Sequence, residues 1–179
     1  FDVTDQLKVG EVNTLAVRLE NYEESSRWYP GAGLYRNVHL ITTEDLAVKM
    51  WGTRITTPVV NEEYARVVVE VELDIPSRYQ PNEISVSTDI YSPDGKAVAG
   101  TVGEIEVFDY KEGKKTLELF VQNPQLWDPE TPHLYKAVTN VMTADKVADT
   151  YITTFGIRTI EIVPNVGFVL NGKRTLFKG

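Results

Sequence analysis

Apolar and polar side chains alternate one for one along most of the chain, the period of β-strands with one buried face. Val67, Val69, Val71, Leu73 and Ile75 alternate with Val68, Glu70, Glu72 and Asp74 until Pro76 ends the run. Ile84, Val86, Thr88 and Ile90 repeat the pattern against Ser85, Ser87 and Asp89, and Ser92-Pro93-Asp94-Gly95 follows as a turn. Proline there presets φ and glycine permits a positive one. Further strands are predicted near Leu46–Ile55, Val98–Phe108, Thr116–Val121, Leu134–Met142 and Val147–Ile162. No stretch of useful length carries the helix period. About seven strands between residues 44 and 162 predict an all-β, immunoglobulin-like β-sandwich.

Shorter β-patterns flank this series. Leu15, Val17 and Leu19 alternate with Ala16, Arg18 and Glu20, and Leu34 to Ile41 has β character again. Two strands cannot bury enough surface to stand alone, so residues 1–43 are expected to be the tail of a larger β-domain. Beyond Pro164, Gly167-Phe168-Val169-Leu170 and Lys173-Arg174-Thr175-Leu176-Phe177 flank Asn171-Gly172, a strong hairpin signal. Residues 163–179 are expected to open a further domain. The sequence begins at Phe1 without methionine, as expected of a piece from inside a longer polypeptide.

One segment breaks the alternation. Asn123 to Lys136 carries prolines at 124, 129 and 132, which deny the backbone amide donors and fix φ. It also carries Leu126, Trp127, Leu134 and Tyr135. Bulky apolar groups on a stiff loop predict a corner packed against the sandwich. Tyr135, at the start of the following strand, is placed to tie that corner through its hydroxyl.

Composition narrows the function. A formal net charge of −8 without a Lys/Arg cluster argues against nucleic acid or an anionic membrane surface. No apolar run approaches the ~20 residues of a membrane helix. There is no cysteine, hence no disulfide, thiol nucleophile or sulfur metal site. His39 and His133, in separate settings, do not suggest a zinc site or a catalytic triad. Gly31-Ala32-Gly33 leads into a strand rather than a helix, which excludes a nucleotide loop. Glu23/Glu24 and Glu62/Glu63 are sequence neighbours and do not form a natural two-carboxylate set. No cofactor and no metal are expected. Arg27, Trp28 and Tyr29, rings beside an arginine on a loop, suit either sugar recognition or pinning that loop to its own domain.

Five motifs, in order, resemble glycoside hydrolase family 2: Phe1-Asp2-Val3-Thr4 to Val17; Trp28 through Gly31-Ala32-Gly33-Leu34-Tyr35-Arg36-Asn37-Val38; Pro124-Gln125-Leu126-Trp127 through Pro132-His133-Leu134-Tyr135; Phe155-Gly156-Ile157-Arg158; and Gly167-Phe168-Val169-Leu170-Asn171-Gly172-Lys173. The glycine-arginine and Leu-Trp/Leu-Tyr segments look most like the β-galactosidase branch. The resemblance implies that residues 1–43 end a sugar-binding jelly roll, 44–162 form the sandwich, and 163–179 begin a catalytic (β/α)₈ barrel. It also implies a parent that hydrolyses O-glycosidic bonds with retention, through two Glu roughly 5 Å apart. Both would lie beyond Gly179, so no catalytic residue is assigned in this chain. Arg27, Trp28 and Tyr29 become candidates for lining the parent's substrate entrance, and Arg36, Trp127, Tyr135 and Arg158 are structural. In some β-galactosidases of the family an acidic residue just before the corresponding tryptophan helps hold sodium; Ser25, Ser26 and Arg27 stand there instead. The implied partner is a carbohydrate, reached through the parent enzyme, and self-association through exposed strand edges is a further expectation. A free-standing carbohydrate-binding module built on the Trp28 loop, or an adhesion-type interaction sandwich, are the alternatives.

Overall fold

The computed structural model describes residues 1–24, 31–109, 112–144 and 146–177. The chain divides into two units, Phe1–Ile41 and Thr42–Gly179.

Among its described residues the first unit holds a 3₁₀ turn at Thr4–Gln6 and no strand. Asp2 Oδ1 accepts from the Thr4 amide (2.9 Å) and hydroxyl (2.7 Å), and the Asn13 side chain accepts from the amide and donates to the carbonyl of Lys8. The strands expected at Leu15–Leu19 and Leu34–Ile41 are not formed. Leu15, Val17 and Leu19 are exposed, as are Leu34 and Leu40. The reason is physical: alternation marks a face, but a strand needs a hydrogen-bonding neighbour, and no described residue pairs with either stretch. Arg36, expected on a strand, instead lies in an extended exposed segment with its guanidinium carbon 5.3 Å from the Tyr35 ring centre.

The second unit contains the sandwich. Its strands are β1 (Ala47–Val60), β2 (Tyr64–Asp74), β3 (Ser85–Tyr91), β4 (Ala97–Glu104), β5 (Glu106–Asp109), β6 (Glu112–Gln122), β7 (Tyr135–Thr143) and β8 (Lys146–Phe155). One sheet runs β1-β2-β6-β5 and the other β4-β3-β7-β8, all neighbours antiparallel. The segment read as one strand over Val98–Phe108 is two. The chain leaves the second sheet at Glu104 and enters the first at Glu106, while Ile105, buried between them, donates its amide to Ile84 O at 3.3 Å. This switch makes eight strands where periodicity gave seven.

Alternation sets the core. From β2 come Ala65, Val67, Val69, Val71 and Leu73, and from β6 Leu117, Leu119 and Val121. The facing sheet supplies Val86 and Ile90 from β3 and Tyr135, Ala137 and Val141 from β7. Burying each large aliphatic side chain stabilises the fold by roughly 1.5–3 kcal/mol. Two polar residues, Thr88 and Thr139, share this interior at 0% exposure and satisfy each other across the β3/β7 ladder, Oγ1 to Oγ1 at 2.9 Å.

Along β1 the pairing with β2 slips between Val48 and Thr53. Within that bulge Trp51 adopts a φ of 58° and is 86% exposed. Edge β1 also reaches edge β8, through Val48 N donating to Asp149 Oδ2 (2.9 Å) and a Thr53–Thr153 hydroxyl contact (2.6 Å).

After the sandwich come β9 (Ile160–Val163), β10 (Gly167–Leu170) and β11 (Lys173–Arg174), a three-stranded antiparallel sheet ordered β11-β10-β9. The single strand expected over Val147–Ile162 is thus divided: β8 stays with the sandwich, and β9 pairs with the hairpin.

Candidate functional site

The break between β8 and β9 is where the chain's most distinctive residues meet. Asn123 leaves β6 with a φ of 46° and donates its amide to Glu63 O (2.8 Å), which turns the chain into the proline corner. Asp128 then organises the tip. Its Oδ1 accepts from the amides of Glu130 (2.8 Å) and Thr131 (2.7 Å), and Oδ2 from the Thr131 hydroxyl (2.8 Å). The Thr131 amide and hydroxyl, with help from Glu130 and Lys173, hold the Asp128 carboxyl below the usual carboxylate range against a small opposing effect of burial. A bridge pairs Trp127 with Pro132, folding the corner back on itself.

Tyr135 closes the corner's base. It is 2% exposed, its hydroxyl accepts from the Gln125 amide at 2.8 Å, and its ring lies 5.8 Å from that of Phe155. Burial pushes the phenol up, partly offset by the Gln125 bond.

Trp127 faces the β8–β9 connection. Its amide donates to Ile157 O at 2.8 Å, which takes that residue out of the β-ladder. Its ring lies under the Arg158 guanidinium, whose carbon stands 5.0 Å from the ring centre. Gly156 is required by this approach, because a Cβ added there would stand 2.7 Å from Trp127 Cβ. Thr57 of β1 adds a bond from its hydroxyl to Arg158 O (3.2 Å).

Asn171 completes the junction. With Gly172 it forms the hairpin turn, φ 49° and 73°, the left-handed pair that a two-residue type I′ turn needs. Its backbone amide donates to Thr159 O (3.0 Å) and its side-chain oxygen accepts from Thr159 N (3.0 Å). Its Nδ2 donates to Trp127 O at 3.0 Å. One side chain therefore joins three segments: the proline corner, the β8–β9 connection and the hairpin. The alternation pattern marks Asn171 only as a turn residue. No signal in the sequence singles it out further, because Asn is the ordinary residue at the first left-handed position of such a turn.

The structure thus gathers Trp127, Tyr135 and Arg158 around one corner. Arg36 lies in the other unit, and Arg27, Trp28 and Tyr29 lie outside the described residues. His133 donates its backbone amide to Thr131 O (2.8 Å) within the corner. Among the described residues no three His, Asp or Glu gather in a way that could hold a metal ion. The arrangement is one of packing, backbone hydrogen bonds and a stacked cation; what it can do is hold two sheets in a fixed relation.

A family model described as glycosyl hydrolases family 2 matches residues 48–158, which spans the sandwich and the corner. The chain belongs to glycosyl hydrolases family 2. Among the similar proteins of this family, the β-galactosidase BoGH2A of Bacteroides ovatus is 41% identical over 181 residues, covering all of this chain and 21% of its own length. A β-glucuronidase of Formosa agariphila is 31% identical over 200 residues, again covering the whole chain and 20% of that protein. A solved family 2 structure from Bacteroides cellulosilyticus superposes with a TM-score of 0.71 at 32% identity, covering 76% of this chain and 19% of the other. The chain therefore spans about a fifth of the length of the curated relatives it matches.

Proposed function

We propose that this chain is the non-catalytic spacer region of a longer, retaining, β-galactosidase-like glycosidase. In this reading residues 1–43 close a sugar-binding jelly roll, 44–162 form the spacer sandwich, and 163–179 lead into a catalytic barrel. Its work is positional: it holds the carbohydrate-handling parts on either side at a fixed distance and angle. The observation that carries this reading is the Asn171 junction, where one side chain bonds Trp127 O and Thr159 N at 3.0 Å each. A joint meant to flex would not spend a side chain on closing two other segments at once. The carbohydrate partner is reached through the longer enzyme, whose two catalytic Glu are expected outside these residues.

The test is direct. With a chromogenic β-galactoside and a chromogenic β-glucuronide, the purified chain is expected to give no turnover, and the longer polypeptide carrying it to give turnover. Turnover by the pure chain, abolished by replacing one of its own carboxylates, overturns the proposal.

A further inference from the structure

Asn171-Gly172 is the one Asn-Gly pair in the sequence. An Asn side chain holds its amide carbon within reach of the next residue's backbone nitrogen, and glycine puts no side chain in the way of ring closure. Asparagine, a thermolabile residue, is therefore lost most readily before glycine.

The turn presents the two partners of that reaction in opposite states. Gly172 is exposed, at a φ of 73°, and among the described residues nothing lies within 4 Å of where its Cβ would stand. Water and hydroxide thus have open access to its backbone nitrogen. Asn171 is half-buried, and its side-chain amide is held at both ends: Oδ1 accepts from Thr159 N and Nδ2 donates to Trp127 O, each at 3.0 Å. Its backbone amide, bonded to Thr159 O at 3.0 Å, is a third anchor. To be attacked, Cγ must swing over the Gly172 nitrogen, which requires both side-chain bonds to open first.

We propose that Asn171 is a site of spontaneous deamidation guarded by the junction, and that its conversion unlocks the joint permanently. The co-reactant is water. In the opened turn the Gly172 nitrogen, its proton passed to hydroxide, bonds to Asn171 Cγ. The Cγ–Nδ2 bond breaks and Nδ2 leaves as ammonia with a proton from water, which closes a five-membered succinimide. Water then opens that ring. Cleavage between the Gly172 nitrogen and Cγ leaves aspartate at position 171; cleavage between that nitrogen and the main-chain carbonyl carbon leaves isoaspartate, with the chain rerouted through Cγ. The net change converts one amide and one water into one carboxylate and one ammonium, with nothing oxidised or reduced.

Neither product can remake the junction. Aspartate sets a charged acceptor where Nδ2 stood, so two oxygens face each other across the 3.0 Å gap to Trp127 O. Isoaspartate adds a carbon to the main chain inside a two-residue turn, which disturbs the pairing of Val169 with Arg174 and of Leu170 with Lys173. A reversible opening becomes a lasting one, and the hairpin sheet is released while the sandwich core is untouched. The inference rests on the contacts of Asn171 and on no activity of the longer protein.

The test follows the purified chain in mildly alkaline buffer, folded and in urea. Tryptic digestion releases residues 159–173, in which fragment masses place a gain of one mass unit on Asn171 or on Asn165; isomerisation at Asp94-Gly95 leaves mass unchanged. In urea Asn171 is expected to convert ahead of every other asparagine, and in the folded chain at least about tenfold more slowly. Gly156→Ala, which displaces Trp127, should speed the folded rate about 5- to 30-fold and leave the urea rate unchanged. Arg158→Ala, which removes the cation over the Trp127 ring, repeats the test where Gly156→Ala fails to fold. Asn171→Asp should speed hydrogen exchange of Gly167–Leu170 at least about tenfold while Tyr135–Thr143 stays protected. The proposal is overturned if folded and unfolded chains convert at one rate, if another asparagine converts first in urea, if folded variants convert no faster than the parent, or if Asn171→Asp exchanges as the parent does. Each of these results leaves the absence of turnover, on which the spacer reading is tested, as it was.

Discussion

At the residue scale, the buried Thr88–Thr139 pair is the sharpest case of cost without redundancy. Each hydroxyl has the other as its partner in an otherwise apolar interior. Thr88→Val alone strands the Thr139 hydroxyl and is expected to cost about 1–3 kcal/mol in urea unfolding, whereas Thr88→Val with Thr139→Val should return close to the parent value. Equal losses for single and double variants would contradict the pairing. Asp128 supplies a pH signature. Its folded carboxyl titrates below the ordinary value of 3.8, so the stability it brings is present above that value and is lost as pH falls through the lower folded one. Urea midpoints of the parent should therefore fall more steeply than those of Asp128→Asn as pH drops from about 5 to 2. Tyr135 runs the other way: its raised phenol contributes fully below the ordinary value of 10.0 and loses its contribution as pH rises through the folded one. The Tyr135 tie was legible in the sequence from its place at the start of the strand that follows the corner of an immunoglobulin-like sandwich. Thr88 was legible as a core position, but its partner was not, since register between β3 and β7 is a tertiary fact.

At the scale of elements, alternation located the strands of the sandwich and the corner between β6 and β7. It missed two breaks. At Ile105, a buried apolar residue, the chain changes sheets, so nothing in the apolar pattern marks the crossing. At Gly156 the break is imposed from outside, by the Trp127 amide capturing Ile157 O. Here the glycine itself was the available signal, because a strand interior seldom keeps one without a close approach to accommodate. Gly156→Ala is accordingly expected to cost about 1–3 kcal/mol by forcing Trp127 away, and to abolish any upfield shift that the Arg158 side chain owes to the indole ring. An unchanged melt and unchanged Arg158 signals would show that the contact is not held. The orphan alternation at Leu15–Leu19 and Leu34–Ile41 marks the opposite limit. A pattern can specify which face a strand would bury, yet it cannot supply the neighbour that makes it a strand.

At the scale of the whole molecule, membership of glycosyl hydrolases family 2 is shown by the match over residues 48–158, and the proposed role follows from what those residues build. The charges on the first sheet's outer face contribute little stability by themselves, since exposed pairs such as Lys114–Glu72 at 3.6 Å are worth at most ~1 kcal/mol. Rigidity instead concentrates in the core and at the corner. A spacer must transmit orientation from the sandwich into β10, and hydrogen exchange reads that property directly. If Asn171 locks the hairpin sheet to the corner, the amides of β10 should exchange through the same cooperative opening as those of β7, and Asn171→Ala should release β10 alone, speeding its exchange at least about tenfold while β7 stays protected. Rapid exchange of β10 in the parent chain, with β7 protected, would contradict the rigid joint.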